Sequence, residues 1–281
     1  MMKIAIILTV YNRRDVTLQG LRSLYGAIAF LGEGYSFDVY MTNDGCTDGT
    51  GEAVAREFSD IHIVQGDGNL YWSGGMRKAW QTAIDSGIKY DYYLWFNDDA
   101  DLYEDALQTM FRSMREAGGN AIISGAFCDK DGKVSYGGWS SLNKIMPPNG
   151  TLQLCFLING NLVLISGVVF ESLGNISHIY KHSLGDWDYG RRAIEHGFNV
   201  LLTPKYVGLS ERHNDVDNRA FDNKYSLRER WSFLRSSKQS NRAGMFFFYK
   251  HFGLFASIKC LIRSYIYVFF PLIKTKNNRK L

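Results

Sequence analysis

A chain of 281 residues, 46% hydrophobic and 21% charged, has the composition of an ordinary folded protein, which argues against a disordered chain. It is long enough for one large α/β domain, alone or with a C-terminal appendage. The formal charge of +4 is unevenly placed: Trp231 to Leu281 holds ten of the 32 basic residues and none of the 28 acidic ones, so the preceding body carries −6.

Cys46, Cys128, Cys155 and Cys260 are scattered, without the close spacing of a zinc site, and four cysteines do not staple a chain of this length. Reduced thiols in the cytoplasm are the expectation. The opening run MMKIAIILTV is interrupted too soon by Asn12, Arg13 and Arg14 for a signal peptide and reads as a first strand. No apolar run approaches the length that crosses a bilayer.

Lys3–Val10 is a β-branched strand that breaks at Tyr11-Asn12-Arg13-Arg14 before an amphipathic helix through Leu18, Leu21, Leu24 and Ile28. A strand ending in a polar turn that opens a helix is the first half of a βαβ unit. Phe37–Thr42 is the second strand; its turn-rich end, Asn43 to Thr50, leads to a helix around Glu52–Phe58. Ile61–Gln65 is the third strand. The loop Gly66–Gly75 follows, then a helix from about Met76 to Asp85; the loop glycines permit close approach to a ligand, and Arg77 stands near the helix start.

Tyr92–Phe96 has the aromatic bias of a strand covered on both faces, and it empties into Asn97, Asp98, Asp99 and Asp101. Ligands of open α/β sheets bind at the carboxyl ends of the strands. Carboxylates this close repel one another unless a cation or hydrogen-bond donors compensate, so a hard divalent metal carrying a phosphate is the natural reading; a solvated acidic loop is the bland one. No GxGxxG or Walker lysine loop occurs, which disfavours dinucleotide cofactors and ATP hydrolysis.

A helix Glu104–Glu116 and a strand Ala121–Phe127 follow. The alternation then gives way to a Gly- and aromatic-rich stretch around Tyr136-Gly137-Gly138-Trp139 and Pro147–Gly150, suited to a second substrate. Leu152–Ile158 and Leu162–Ile165 are further strands, and Ser166 begins a short helix. Gly185-Asp186-Trp187-Asp188 opens a helix whose first-turn acids suit its dipole, so capping alone is a competing explanation. Val200–Thr203 is a strand, and Pro204–Leu209 leads to Glu211-Arg212-His213-Asn214.

Five ordered signals, TVYNR at Thr9–Arg13, NDGCTD at Asn43–Asp48, GGMR at Gly74–Arg77, NDD at Asn97–Asp99 and GDWD at Gly185–Asp188 with Arg192 downstream, together resemble the family 2 glycosyltransferases across roughly residues 3 to 240. The resemblance implies the GT-A fold, α/β with a Rossmann-like, mostly parallel central sheet flanked by helices, and inverting, metal-dependent use of nucleotide-diphosphate sugars. It implies a glycosyltransferase domain over 1–240, with a nucleotide-binding half at 1–101 and an acceptor-binding half at 102–240, and a basic, aromatic-rich helical tail at 241–281.

By that resemblance the base and ribose lie among Thr9, Tyr11, Arg13 and Asp44. An ionised Asp44 is an acceptor suited to a base N–H or a ribose hydroxyl; a turn residue capping its own backbone is the other reading. Arg77 faces the diphosphate, with Asn69, Gly74 and Gly75 shaping the loop, or is a solvated helix-start arginine. The acidic motif falls on Asn97-Asp98-Asp99. It puts Asp99 on Mg²⁺ or Mn²⁺ and Asp98 on the ribose or a metal-bound water, while the shifted register Asp99-Ala100-Asp101 makes Asp101 a second ligand.

Asp186 matches the general base, with Asp188 as the other candidate. Trp187 and Trp139 are candidates to stack on an acceptor sugar, and His213 is a candidate late metal ligand. The implied partners are a nucleotide-diphosphate sugar donor and a saccharide or lipid-linked acceptor in bacterial cell-surface polysaccharide synthesis. The tail, MFFFYKHFGLFASIKCLIRSYIYVFFPLI with a basic end, reads as one aromatic helix suited to an anionic membrane surface or to packing on the domain. It holds no recognisable nucleic-acid module. Rival readings are a sugar-phosphate nucleotidyltransferase, which calls for a Gly-rich loop where this chain has TVYNRR, and a non-catalytic nucleotide-sugar or saccharide-binding module.

Overall fold

In the computed structural model, which describes residues 1–211, 218–236 and 241–271, the first apolar run is strand β1, Met2–Val10. Ile4 to Leu8 are fully buried, with Ile4, Ile6 and Leu8 in one core and Ala5 and Ile7 in another, as the twofold period of a strand covered on both faces requires. Helix α1, Arg14–Leu31, lays Leu21 and Leu24 into the first core, and β2, Tyr35–Asn43, α2, Thr50–Glu57, and β3, His62–Gln65, continue the winding. Helix α3, Tyr71–Asp85, covers the opposite face with Met76 and Trp80, and β4, Tyr92–Phe96, returns to pair with β1. Each large apolar side chain buried this way contributes about 1.5–3 kcal/mol, so the sheet needs no outside support.

The chain then makes β5, Asp101–Leu102, α4, Ala106–Glu116, and β6, Ala121–Cys128. An excursion of short strands follows: β7, Val134–Tyr136, β8, Gly138–Ser141, β9, Lys144–Ile145, β10, Gln153–Leu154, and β11, Leu157–Ile158. Strand β12, Leu162–Ser166, α5, Gly167–Leu173, α6, Gly185–Glu195, and β13, Asn199–Leu209, complete this part. The main sheet runs β10-β13-β6-β12-β4-β1-β2-β3, with β5 on β13 and β7 on β6; β11, β8 and β9 form a small second sheet. Pairings among β1 to β4, and β6 with β13, are parallel, whereas β12 runs against both β4 and β6. This is the mostly parallel α/β architecture expected of the GT-A fold.

The reversal of β12 organises the site. Leu162 opens β12 opposite Phe96, the last residue of β4, and the Asn97 amide donates to the Asn161 carbonyl at 2.9 Å. The turn before β12 therefore lies beside the loop after β4.

Several element boundaries differ from those expected. Helix α3 starts at Tyr71, so Gly74 and Gly75 lie in its first turns rather than in a loop. The Leu152–Ile158 strand is two fragments in different sheets. Strand β13 continues through Pro204, where a register shift against β6 removes the need for the missing N–H. The tail is two helices, α8, Asn241–Phe252, and α9, Leu254–Phe269, separated at Gly253, whose φ of 85° suits only a residue without a side chain.

Two compact units result, Met1–His178 with Asp186–Arg212, and Ile179–Gly185 with His213–Leu281. Residue 240, where the sequence reading divides the chain, falls within the second. There a short 3₁₀ helix, Asn218–Phe221, and α7, Leu227–Leu234, pack with α9 around Ala220, Leu234 and Val268, and Trp231 stacks on Tyr265 at 5.3 Å. Among the described residues no helix is long and apolar enough to cross a membrane.

Candidate active site

The carboxyl end of β4 is a charge-compensated knot. Asp98 is 1% exposed; its Oδ1 accepts from Arg13 Nη2 at 2.6 Å and its Oδ2 from the Thr17 hydroxyl at 2.6 Å. Arg13 Nη1 reaches Asp99 Oδ2 at 3.1 Å. Burial pushes the Asp98 carboxyl up to about 6, against the pull of Arg13 and Thr17. The two carboxylates in turn outweigh burial and hold the Arg13 guanidinium above its usual value. Helix α1 approaches this closely because residue 20 is glycine: a Cβ there would stand 2.3 Å from the Asp98 carbonyl oxygen.

Asp44, 3% exposed at the end of β2, organises the neighbouring loop. Its carboxylate accepts from the amides of Gly68 at 2.9 Å and of Leu70 and Tyr71 at 3.0 Å. Helix α3 has no cap from its own N-cap residue, and Tyr71 enters it at a φ of 55°, costly for an aromatic residue; Asp44 supplies the missing acceptor from a distant strand. An ionised carboxylate has about four lone-pair sites, so three amides leave one. Gly75 lets α3 sit on β1, since a Cβ there would meet the Thr9 hydroxyl at 2.0 Å, and Thr42 Oγ1 donates to the Gly75 carbonyl at 2.8 Å. Gly74 is buried beside it, while Asn69 is exposed and folds onto Asp67, and Tyr11 is 53% exposed. Arg77 donates to the Ser177 carbonyl at 3.2 Å, and burial lowers its guanidinium from the usual arginine value.

Across the β4–β12 pairing lies Asp186, at the start of α6. Its Oδ2 accepts from the Gly160 amide at 3.1 Å and its Oδ1 from the Trp187 amide at 2.9 Å, and the Asn159 side chain adds a further hydrogen bond. Burial raises its carboxyl to about 6, while these three donors oppose the rise. Asn159 Oδ1 also accepts from Trp139 Nε1 at 2.8 Å, and the rings of Trp139 and Trp187 lie 5.8 Å apart. Trp72 closes the gap to the donor side: its Nε1 donates to Asn97 Oδ1 at 2.6 Å, and its ring lies where a Cβ on Gly160 would be, 2.2 Å from Cζ2. Asn97, Trp72, Gly160 and Asp186 thus form one connected wall. Asp188 is different. It is fully buried and accepts from Arg192 Nε at 2.9 Å, while Arg192 also donates to the carbonyls of Leu173 and Asn175.

The model of the family described as "Glycosyl transferase family 2" matches residues 5–169, more than half of the chain and all of the β1–β4 half of the site. The chain belongs to glycosyl transferase family 2. No curated protein sequence matches this family 2 chain. Among solved structures it resembles the mannosyltransferase PcManGT from Pyrobaculum calidifontis in complex with GDP-Man and Mn²⁺, at 14% identity and a TM-score of 0.54 over 94% of this chain and 74% of that one. It also resembles S. aureus TarS 1-349 in complex with UDP-GlcNAc, at 12% identity and a TM-score of 0.57 over 90% of this chain and 73% of that one. At such identities the likeness establishes a shared fold.

The fold implies a divalent metal, and the acids of this glycosyltransferase family chain differ in their fitness for one. Each Asp98 oxygen accepts one hydrogen bond, from Arg13 and from Thr17. Asp99 engages Arg13 through Oδ2 at the edge of the knot, and a hard-oxygen donor there suits Mg²⁺ or Mn²⁺. Among the described residues no three His, Cys, Asp or Glu side chains cluster; such ions need few protein ligands because substrate phosphates and water supply the rest. Asp101 has its backbone in the β5–β13 ladder, and His213 lies outside the described residues. Thr17, Trp72, Asn159 and Gly160 were not singled out from sequence. INGN at Ile158–Asn161, a polar turn between apolar strands, was the available signal.

Proposed function

We propose that this chain is an inverting glycosyltransferase that moves a sugar from a nucleotide-diphosphate donor to a hydroxyl of a saccharide or lipid-linked saccharide during cell-surface polysaccharide synthesis. The observation that carries the proposal is Asp186: a carboxylate held only by neutral donors, in a wall continuous with the loop that ends β4. In this reading Asp186 takes the proton of the acceptor hydroxyl as its oxygen bonds to the anomeric carbon. The bond from that carbon to the diphosphate breaks, and the nucleoside diphosphate departs with the electron pair. Trp139 and Trp187 form the apolar platform for the acceptor ring, which their packing beside Asn159 supports.

On the donor side, Arg13 and Thr17 hold Asp98, and Asp98 serves as scaffold. Asp99 would hold Mg²⁺ or Mn²⁺, which when bound neutralises charge on the departing diphosphate. Asp44 shapes the donor loop through three amides and keeps one lone pair for a ribose or base donor. The same reading puts the protein in the cytoplasm, peripheral at the inner face of the membrane. The test is thermal stabilisation by UDP-, GDP- and dTDP-sugars with and without Mn²⁺, followed by the anomeric configuration of the product. A manganese-dependent rise in Tm with one class and inversion at the anomeric carbon are expected. Stabilisation by none of them overturns the reading.

A further inference from the structure

Helix α9 carries an apolar face that the described residues leave largely open, with only Trp231 of α7 against Phe269 at its end. Phe255, Ile258, Ile262, Ile266 and Phe269 are all exposed, Phe255 to 89% and Ile262 to 53%. At about 100° per residue they fall within an arc of about 80°. The opposite face is occupied: Tyr267 and Val268 are buried, and Ser257 donates to the Met245 carbonyl of α8; at one edge of the stripe Tyr265 stacks on Trp231 of α7, whose ring also lies 6.1 Å from that of Phe269. Lys259 and Arg263, both exposed, flank the apolar stripe on one side. A continuous apolar row on an otherwise well-packed helix marks a contact surface rather than a folding defect.

We infer that the outward face of α9 lies flat on an anionic lipid bilayer, with the five apolar side chains in the acyl boundary and Lys259 and Arg263 reaching the headgroup phosphates. Charge selects this occupant. Lys259 and Arg263 stand beside the stripe and the sequence holds no acid from Trp231 onward, so a second copy would bring the same two cations against the first with no acid to meet them. An anionic surface is attracted by the same residues, and long basic side chains at the edge of an apolar stripe can bury their stems while their heads stay in water. Length selects the orientation. Sixteen helical residues span about 24 Å, short of the roughly 30 Å hydrocarbon core, so the helix fits on the surface and not through it.

The inference sharpens the peripheral placement proposed above, yet it does not depend on the transfer chemistry. Vesicle binding by the full-length protein separates the two. Flotation with phosphatidylglycerol-containing vesicles in low salt is expected to recover the protein, with at least about tenfold less recovered on pure phosphatidylcholine. Phe255→Ser with Ile262→Ser, at positions that reach far into solvent, should weaken binding about tenfold or more while the far-UV spectrum and Tm stay at wild-type values. Lys259→Glu should weaken it less and make what remains less sensitive to salt. Equal recovery on both lipids, unchanged binding by the double serine variant, or a stripe-dependent dimer in sedimentation without lipid binding would each overturn the inference.

Discussion

Two carboxylates on either side of the β4–β12 pairing, Asp98 buried and Asp186 half-buried, meet the same problem with different solutions. Burial pushes both Asp98 and Asp186 up to about 6. Asp98 is answered by a cation, Arg13, and by the Thr17 hydroxyl. Asp186 is answered by backbone amides and the amide of Asn159, all neutral. An ion pair fixes a carboxylate in its charged form, because protonation would strand the partner's charge in a low-dielectric place. Neutral donors hold the group in position while leaving the proton free to come and go. Equal elevation of two carboxyls is therefore compatible with opposite uses: a scaffold on one side and a proton acceptor on the other.

The contrast is broken most directly at Asp186. Asp186→Asn keeps the shape and the hydrogen bonds to one of the two oxygens, so donor binding measured by titration should persist while kcat falls about 10³-fold, within the 10²–10⁴ range of general-base catalysis. Undiminished transfer would remove the distinction. On the other side, Arg13→Ala leaves Asp98 buried without its cation. Arg13 is itself partly open to water, so the loss in urea unfolding should be about 2 kcal/mol, at the low end for a broken buried pair. A carboxyl raised by burial binds a proton more readily folded than unfolded, so its penalty is fully present above pH 6 and eases as pH falls from 6 towards 4. The deficit of Arg13→Ala should accordingly be larger at pH 7 than at pH 5.

A smaller effect sharpens the comparison. Since only ionised Asp186 accepts a proton, kcat should rise with pH through about 6 and then level. Asn159→Ala removes a donor that favours the ionised form. The acidic limb should move up by roughly half to one pH unit, because a hydrogen bond to a charged group is worth about 1.5 kcal/mol and one unit about 1.4. The donor's KM should not change. A structural defect alone would lower active protein without moving the limb.

Much of this arrangement could be read from the chain. The first four strands and the polar turns at their carboxyl ends follow from apolar runs that stop at polar residues, and Asp186 stands out by its place at a helix start; the spatial order β4-β1-β2-β3 comes from the structure. What was not legible depends on distant partners. Helix α3 begins five residues early because Asp44 caps it from another strand. Pro204 stays within β13 because of a bulge, and Asn159 and Gly160 gain their role only when β12 turns back beside β4. The hydrogen bond from Arg77 to the Ser177 carbonyl likewise joins residues a hundred positions apart, which no local pattern signals.

Strands β6 and β12 are antiparallel neighbours, so Cys128 and Leu162 lie at the same end of adjacent strands, and between them the chain touches the sheet again at β7 on β6 and at β10 on β13. Everything between is an excursion whose two ends are already pinned side by side. Each doubling of a flexible loop costs only about 0.6 kcal/mol in closure entropy, so the exposed turn at residues 130–133 is open to lengthening with little penalty, whereas Met146, Cys155 and Ile158 are buried in the core.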